Sequence, residues 1–204
     1  IGFPLVMKIN SPDITHKSDV NGVRLNIQTA GAIRTTFNEL IADVKANRPD
    51  ATITGVTLES MVNHPNGRET MIGVVRDPVF GPAISFGAGG TTVEVMHDSF
   101  VSLPPLNRFI AGQTIERTRI NRLLGAFRNM PPVNREALEN VLLRVSELVC
   151  ELPHVVEMDI NPLIVDEHGA VAVDARMTVA RPSHAAQPYT HMAIHPYPSH
   201  LANQ

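Results

Sequence analysis

The stretch that most constrains the fold covers residues 155–179, which we predict to form a β-hairpin. Two apolar segments, one ending near Val165 and the other restarting at Ala170, flank a polar turn at residues 166–169. The turn ends in Gly169, which can adopt the positive φ angle that such turns require. A hairpin here brings side chains from both strands onto one face of a sheet.

Three polar side chains on this hairpin are not needed for strand formation. Asp159 and Asn161 are two residues apart and therefore share one strand face. If the turn is centred between residues 167 and 168, Asn161 lies opposite Asp174 on the returning strand. Carboxylate and amide oxygens without Cys or His suit a hard cation, and Mg²⁺ completed by substrate phosphates fits best. The alternative is that these polar side chains simply face water.

The composition limits the classes of protein to which the chain can belong. Its 204 residues are 43% hydrophobic and carry a net charge of −3, which is enough apolar material for one large domain or two small lobes. That charge is too weak for a nucleic-acid or membrane surface, and no apolar run approaches the roughly 18 residues of a membrane helix. The single cysteine, Cys150, indicates a reducing compartment, the cytoplasm. Because the sequence opens on Ile1 and enters a strand almost at once, we expect a fragment of a longer polypeptide.

Two residues near the start of the chain could carry chemistry. Lys8 interrupts a short apolar strand and either extends into solvent from an edge strand or points into a ligand cleft. His16 lies in a polar loop beside a lysine and a serine. Such a loop can hold phosphate, and a histidine can also accept a phosphoryl group covalently, although a solvated loop is the simpler interpretation.

Glutamates and a glycine loop occur among the strands that follow. Glu59 precedes a turn and Glu69 follows it, so their carboxylates could face one cleft or be ordinary strand-end charges. The sequence Gly-Ala-Gly-Gly at residues 87–90 lets backbone N–H groups approach an anion, although it matches neither Walker A nor GxGxxG. The other predicted elements are strands at 5–9, 23–27, 51–62, 68–77, 83–86 and 93–95 and helices at 30–47, 107–127 and 134–152. Thr29 and Asn134 are the predicted N-caps of the first and last of these helices.

Taken in order, these landmarks resemble an ATP-grasp nucleotide site. The similarity is closest to the ATP-grasp domain of NDP-forming acyl-CoA synthetases, the family that includes ADP-forming acetate–CoA ligase. It rests on sequence segments distributed over residues 1–179, namely GFPLVMKINSPDITHKSDVNGVRL, LESMV, RDPVFGP, FGAGGTTVEV, LPPLN, MDINPLIV and VDARM. In the tail, MAIHPYPSHL resembles the segment that leads to a GNAT domain in bacterial two-part protein lysine acetyltransferases.

The resemblance implies a two-lobed α/β ATP-grasp fold, truncated at its N terminus. Residues 1–60 are part of the small lobe, residues 61–179 the larger lobe and residues 180–204 a linker, with nucleotide between the lobes. The implied activity is that of an ADP-forming acid–CoA ligase, which moves a phosphoryl group between ATP or ADP and an acyl phosphate through a phosphohistidine. An alternative is a non-catalytic nucleotide or acyl-CoA sensor that regulates an attached acetyltransferase. Implied partners are CoA-binding and ligase domains and the GNAT domain, and a homo-oligomer is compatible with either function.

The resemblance also assigns roles by position. His16 is the expected phosphohistidine, and Lys8 is expected to contact the nucleotide phosphates. Asn161 and Asp174 are expected to bind Mg²⁺, with Asp159 as a third oxygen ligand. The further nucleotide contacts that the resemblance implies are Glu59, Met61, Val62, Glu69, Gly89, Gly90 and Arg176.

Three departures from the family pattern qualify these expectations. The DVGG motif reads DVNG at residues 19–22, so that Asn21 replaces a glycine and is expected to stiffen the loop. The segment that precedes Gly2 in the family is missing, as are the CoA-binding and ligase domains. We therefore expect the fragment alone to be inactive.

Overall fold

Two antiparallel sheets organise the chain, one in each of two units, Ile1–Asn63 and His64–Gln204. The structure is a computed structural model that describes residues 1–90, 98–181 and 188–192. Within these ranges, no helix is long and apolar enough to span a membrane. Both units combine strands with helices, as the predicted α/β class requires.

The first unit packs one helix on a three-stranded sheet of order β2-β1-β3. Alternation along the central strand directs Leu5, Met7 and Ile9 into a buried cluster with Leu40 and Val44 of the helix. The elements are β1 (Leu5–Asn10), β2 (Val23–Ile27), α1 (Ala30–Asn47) and β3 (Gly55–Ser60).

Local signals set the ends of α1. The Thr29 hydroxyl accepts a hydrogen bond from the Ala32 N–H at 3.3 Å, which confirms the predicted N-cap. The helix ends two residues before Pro49, because the residue before a proline disfavours helical geometry. Strand β3 begins later than predicted, since the Thr52 N–H bonds to the Asp13 carboxylate and the Thr54 N–H to the Asn10 carbonyl.

The second unit has a six-stranded sheet with the order β6-β5-β4-β7-β8, in which β9 also pairs with β7. Helices cover one face, where Ile72 and Phe86 of the strands join Ile115 and Leu142 of two helices in one buried cluster. The elements are β4 (Arg68–Asp77), β5 (Gly81–Ala88), β6 (Ser99–Ser102), α2 (Arg108–Glu116), α3 (Asn121–Leu124), α4 (Arg135–Glu151), β7 (Val155–Val165), β8 (Ala170–Ala172), β9 (Ala175–Val179) and a 3-10 turn at Thr190–Met192.

The helix predicted over residues 107–127 is wrong in its length, because the chain breaks between α2 and α3. The buried Asp98 carboxylate accepts hydrogen bonds from the backbone N–H groups of Arg119 and Ile120, both at 2.6 Å. These contacts start a new helix in place of continuing the first one. The strand predicted at residues 93–95 lies outside the described residues.

Candidate functional site

The predicted hairpin forms with the predicted register, but Gly169 does not adopt the positive φ angle expected of it, because the Asp166 carboxylate closes the turn by accepting from the N–H groups of His168 and Gly169. Leu163 pairs with Ala172 and Ile160 with Ala175, which sets Asn161 opposite Asp174. The backbone N–H of Asn161 donates to the carbonyl of Asp174 at 3.1 Å. The returning chain divides into β8 and β9 at this level, where Pro162 has no N–H to donate to the ladder.

The site residues predicted on the second unit lie on the sheet face opposite its helices. Along β4, Thr70 and Ile72 are buried, while Glu69 alternates to the other face. Along β7, Asp159 and Asn161 alternate in the same way with buried neighbours. One open sheet face therefore presents the polar groups of both strands.

The glycine loop is held against this face by β4 and β7. The Gly90 N–H donates to the side-chain oxygen of Asn161 at 2.8 Å, and the Gly89 N–H donates to the Glu69 carbonyl at 2.9 Å. A Cβ atom on Gly89 would lie 2.2 Å from the Thr70 carbonyl oxygen. On Gly90, whose φ is +71°, a Cβ would lie 1.7 Å from the Glu69 carboxylate. Only glycine allows this approach at both positions.

Charged groups surround Asn161 on the same face. The Arg176 guanidinium lies 3.6 Å from the Asp174 carboxylate, and Arg176 pairs with Asp159 across the β7–β9 ladder. Glu69 adds a third carboxylate near the glycine loop. The acidic groups outnumber the arginine, which favours a cation or a cation-bound ligand at this face.

The donor set fits a magnesium ion. Asn161, Asp174 and Asp159 offer only oxygen ligands, which hard cations prefer. The Asn161 oxygen retains a second lone pair beside its bond to Gly90. In the part of the chain that the structure describes, no three His, Cys, Asp or Glu side chains group as metal ligands. A magnesium ion here would therefore need oxygens from phosphate and water.

In the first unit, Lys8 makes an ion pair with Glu59. The Lys8 ammonium lies 2.7 Å from the Glu59 carboxylate, and the Lys8 side chain is only 11% exposed. Strand β1 is the central strand of its sheet, so the edge-strand interpretation of Lys8 was wrong. The Met61 N–H donates to the Pro4 carbonyl at 3.0 Å, and Met61 and Val62 are both half-buried.

The loop that carries His16 is closed locally and leaves the histidine exposed. The Gly22 N–H donates to the Lys17 carbonyl at 2.7 Å and the Asn21 N–H to the Ser18 carbonyl at 3.1 Å, which is the Schellman pattern. Asn21, with φ of +54°, occupies the left-handed position, where asparagine is tolerated better than most other non-glycine residues. The departure from the DVGG motif therefore falls where asparagine fits.

The sequence alone did not reveal the contacts that support the hairpin turn. The His64 ring is hydrogen-bonded to the Asp166 carboxylate, which also accepts from two backbone N–H groups of its own turn. These hydrogen bonds, chiefly that from His64, lower the pKa of Asp166 to about 2. The Asn66 amide donates to Glu167 at 2.9 Å. The turn at residues 63–67 and the turn at residues 166–169 are far apart in sequence. Their composition identifies each as a turn, but it does not show that the two are in contact.

A buried arginine holds the start of β4. Arg68 is only 5% exposed. Its guanidinium donates to the backbone carbonyls of Leu123, Asn66, Gly125 and Pro131. Arg68 directly precedes Glu69 and thereby fixes the strand end on which the glycine loop rests.

The chain belongs to the ATP-grasp domain family, which matches residues 1–179. Its relatives include the β subunit of ADP-forming acetate–CoA ligase I from Pyrococcus furiosus, 42% identical over 177 residues that cover 87% of this chain and 75% of that subunit. ADP-forming acetate–CoA ligase I from Archaeoglobus fulgidus is 41% identical over 179 residues, 88% of this chain but only 26% of the relative. The predicted family of ADP-forming acetate–CoA ligases is thereby confirmed.

Solved structures agree with this assignment. Acetyl-coenzyme A synthetase 1 from Ca. Korarchaeum cryptofilum, in complex with coenzyme A, Ca-AMPCP and HgCl+, has a TM-score of 0.83 and 39% identity, covering 88% of this chain and 78% of that chain. A second structure of the same synthetase contains coenzyme A and Mg-AMPPCP, with its phosphohistidine segment pointing towards the nucleotide-binding site. It has a TM-score of 0.74 and 36% identity, and the match covers 88% of this chain and 78% of that chain. The ATP-grasp fold predicted from the sequence is confirmed.

Proposed function

We propose that this domain binds ATP or ADP with Mg²⁺ and exchanges a phosphoryl group between the nucleotide and a phosphohistidine. The observation that carries the proposal is the contact between Gly90 and Asn161 on the open sheet face. It joins the glycine loop expected to bind phosphate to the hairpin expected to bind the metal. This exchange is one part of the reaction of an ADP-forming acid–CoA ligase.

The nucleotide contacts are proposed for both units. In the second unit, backbone N–H groups of the glycine loop and the Arg176 guanidinium would bind phosphate oxygens, and Glu69 would bind the ribose. In the first unit, Lys8 would bind phosphate as a point charge in exchange for its present partner, Glu59. The backbone at Met61 and Val62 would contact the adenine.

The metal would be held by Asn161 and Asp174, with Asp159 as a further oxygen ligand. When bound, Mg²⁺ neutralises charge that develops on the transferring phosphoryl group. Arg176 lies close enough to Asp174 to orient its carboxylate. The contact of Gly90 with Asn161 would keep the glycine loop next to these oxygens.

His16 is the group proposed to carry the phosphoryl group. In the direction of ATP formation, the bond from the His16 nitrogen to phosphorus breaks and the nitrogen keeps the electron pair. A β-phosphate oxygen of ADP forms the new bond to phosphorus. The exposed position of His16 in a locally closed loop supports this role, since the ring must meet both an incoming phosphoryl donor and the nucleotide.

The relatives favour this catalytic function over the sensing alternative. The acetate–CoA ligases that match the chain are enzymes, and they retain the same domain both as a separate subunit and within a longer chain. We propose that CoA-binding and ligase domains, in the same or a partner chain, complete the reaction here as well.

Calorimetric titration with ADP and ATP, with and without Mg²⁺, tests the proposed site. We expect Mg²⁺-dependent binding that weakens by about 10-fold or more in Asp174→Ala, the size of loss typical when a metal site is disturbed. Glu157→Ala is the matched control, because Glu157 is an exposed carboxylate on β7 outside the proposed ligand set. Equal affinities in the wild type and Asp174→Ala, or an equal loss in Glu157→Ala, would contradict the metal assignment.

We also propose that the parent protein continues into a GNAT acetyltransferase domain. The tail phrase MAIHPYPSHL supports this proposal, although residues 193–201 of that phrase lie outside the described residues. The measurement is transfer of acetyl from acetyl-CoA to a lysine peptide by the full-length protein. No transfer under conditions in which a GNAT enzyme is active would count against it.

A further inference from the structure

The C-terminal end of α4 has its unpaired carbonyls satisfied from outside the helix. The last carbonyls of any α-helix have no partner within it. Here the Val149 carbonyl accepts a hydrogen bond from the Arg76 guanidinium at 2.9 Å, and the Cys150 carbonyl accepts one from the backbone N–H of Tyr189 at 3.0 Å. Tyr189 lies beyond residue 179, where the match to the ATP-grasp family ends. A segment outside the family domain thus caps one of its helices.

The β4–β5 turn leaves room for the same segment. A Cβ atom on Gly81 would lie 2.5 Å from the Cβ atom of His191, so a larger residue would displace the histidine. The His191 ring lies 3.7 Å from the Cys150 sulfur. Cys150 is only 2% exposed, and burial raises the pKa of its thiol. The helix end, the glycine and the thiol together contact residues 188–192.

We propose that the C-terminal end of α4 and the β4–β5 turn form a docking surface for residues 188–192 of this chain, which shield the Cys150 thiol when they are seated. The occupant is given by the contacts of Tyr189 and His191 with this surface. Docking fixes the point from which the chain continues after the family domain. Reactivity of the thiol then reports whether the segment is seated.

This surface is separate from the candidate nucleotide site. Gly81 pairs with Asp77 at one end of β4, whereas Glu69 and the glycine loop lie at the other end. Asp77 lies eight residue steps along the strand from Glu69, which corresponds to about 26 Å. The proposal therefore does not depend on the proposed phosphoryl transfer, and it can be tested without nucleotide.

Alkylation of Cys150 by iodoacetamide measures docking directly, because the chain has one cysteine. Tyr189→Pro removes the N–H that donates to Cys150 and cannot adopt the observed φ of +61°. We expect alkylation of the native protein to be about 10-fold faster in this variant, as the loss of a hydrogen bond and of the required backbone geometry shifts the segment toward its undocked state. The guanidinium-unfolded protein gives the limiting rate.

Tyr189→Gly is the matched control, since glycine keeps the N–H and adopts positive φ readily. Its alkylation rate should stay near that of the wild type, and His191→Ala should fall between the two variants. Thermal unfolding measured alongside should show that all variants remain folded. If folded Tyr189→Pro is alkylated as slowly as the wild type, the rest of the domain shields the thiol and the proposal is wrong. A wild-type rate equal to the unfolded limit would also overturn it.

Discussion

The His16 loop and the glycine loop are proposed to act on the same phosphoryl group, yet they are held in different ways. The His16 loop is closed by two backbone hydrogen bonds within residues 17–22. The glycine loop is held by Glu69 on one strand and by Asn161 on another, 71 positions from Gly90. The His16 loop is also bound from outside, by the Ile9 N–H at the Gly22 carbonyl and by the Asn47 amide at the Val20 carbonyl. Its closing turn is nevertheless made within residues 17–22, whereas both contacts of the glycine loop come from strands distant in sequence.

The two loops therefore differ in what a substitution should change. The turn at residues 17–22 shapes the His16 loop through its own backbone, and His16 itself is exposed. A loop held by Asn161 ties its own position to a side chain of the proposed metal site. Substitution of His16 itself should thus affect chemistry, whereas substitutions in the glycine loop should affect stability together with ligand binding.

The largest expected effect is the loss of phosphorylation in His16→Ala. In full-length protein incubated with Mg²⁺ and ATP labelled at the γ-phosphate, we expect acid-labile, base-stable label on the wild type and none on the variant. The reason is that no other group can replace the imidazole nitrogen at that position. Thermal stability should change by no more than the few tenths of a kcal/mol typical of an exposed side chain, because the hydrogen bonds that close residues 17–22 are between backbone atoms.

His168→Ala provides the control for that experiment. His168 has an exposed side chain, and its hydrogen bond to Asp166 is made by the backbone N–H. This variant should label like the wild type. Label that persists in His16→Ala would remove His16 from the mechanism and leave the local loop without its proposed role.

The second effect concerns the glycine loop, where Gly89→Ala should weaken both stability and nucleotide binding. The added Cβ would lie 2.2 Å from the Thr70 carbonyl oxygen, and a backbone atom in the middle of a sheet cannot move aside easily. Overpacking of this kind typically costs about 1–3 kcal/mol in the free energy of unfolding. Urea unfolding and calorimetric titration with Mg²⁺ and ADP measure the two consequences.

Gly112→Ala is the matched control for this substitution. Gly112 lies in α2, and a Cβ there would meet only the Glu139 carboxylate at an ordinary 3.6 Å. Alanine in a helix should leave stability equal or higher by up to about 1 kcal/mol. If Gly89→Ala unfolds and binds like Gly112→Ala, then close contact with β4 does not hold the glycine loop.

The same distinction between local and distant contacts explains what the sequence could predict. The register of the hairpin followed from a short turn and alternating side chains, and it set Asn161 opposite Asp174. The N-caps Thr29 and Asn134 were predicted because each acts on an N–H three residues further on. Patterns that act over a few neighbouring residues can therefore be recognised in the sequence alone.

Contacts between distant residues account for what was not predicted. The break after α2 depends on Asp98, which lies on the other side of that helix in sequence. The hydrogen bond of His64 with Asp166 joins two turns 102 positions apart. The ion pair of Lys8 with Glu59 needs the pairing of β1 and β3 before it can form. Each depends on a partner that no local pattern identifies.

The smallest expected effect tests whether the His16 loop is closed by its own backbone. Asn21 has a φ of +54°, in the left-handed region that disfavours most side chains. Asn21→Ala should lower the free energy of unfolding by about 1 kcal/mol, whereas Asn21→Gly should stay within a few tenths of the wild type or above it. Urea unfolding of the three proteins measures the difference.

The glycine variant also examines the departure from the family's DVGG motif. If Asn21 stiffens the loop, Asn21→Gly should speed amide hydrogen exchange at positions 21 and 22, relative to the intrinsic rates of the two sequences, because the N–H groups of these positions close the loop. Phosphorylation of His16 in the full-length protein should change little, because the backbone pattern is kept. Unchanged exchange at both amides would show that the asparagine adds no rigidity, and an Asn21→Ala protein as stable as the wild type would mean that the left-handed turn does not hold the loop.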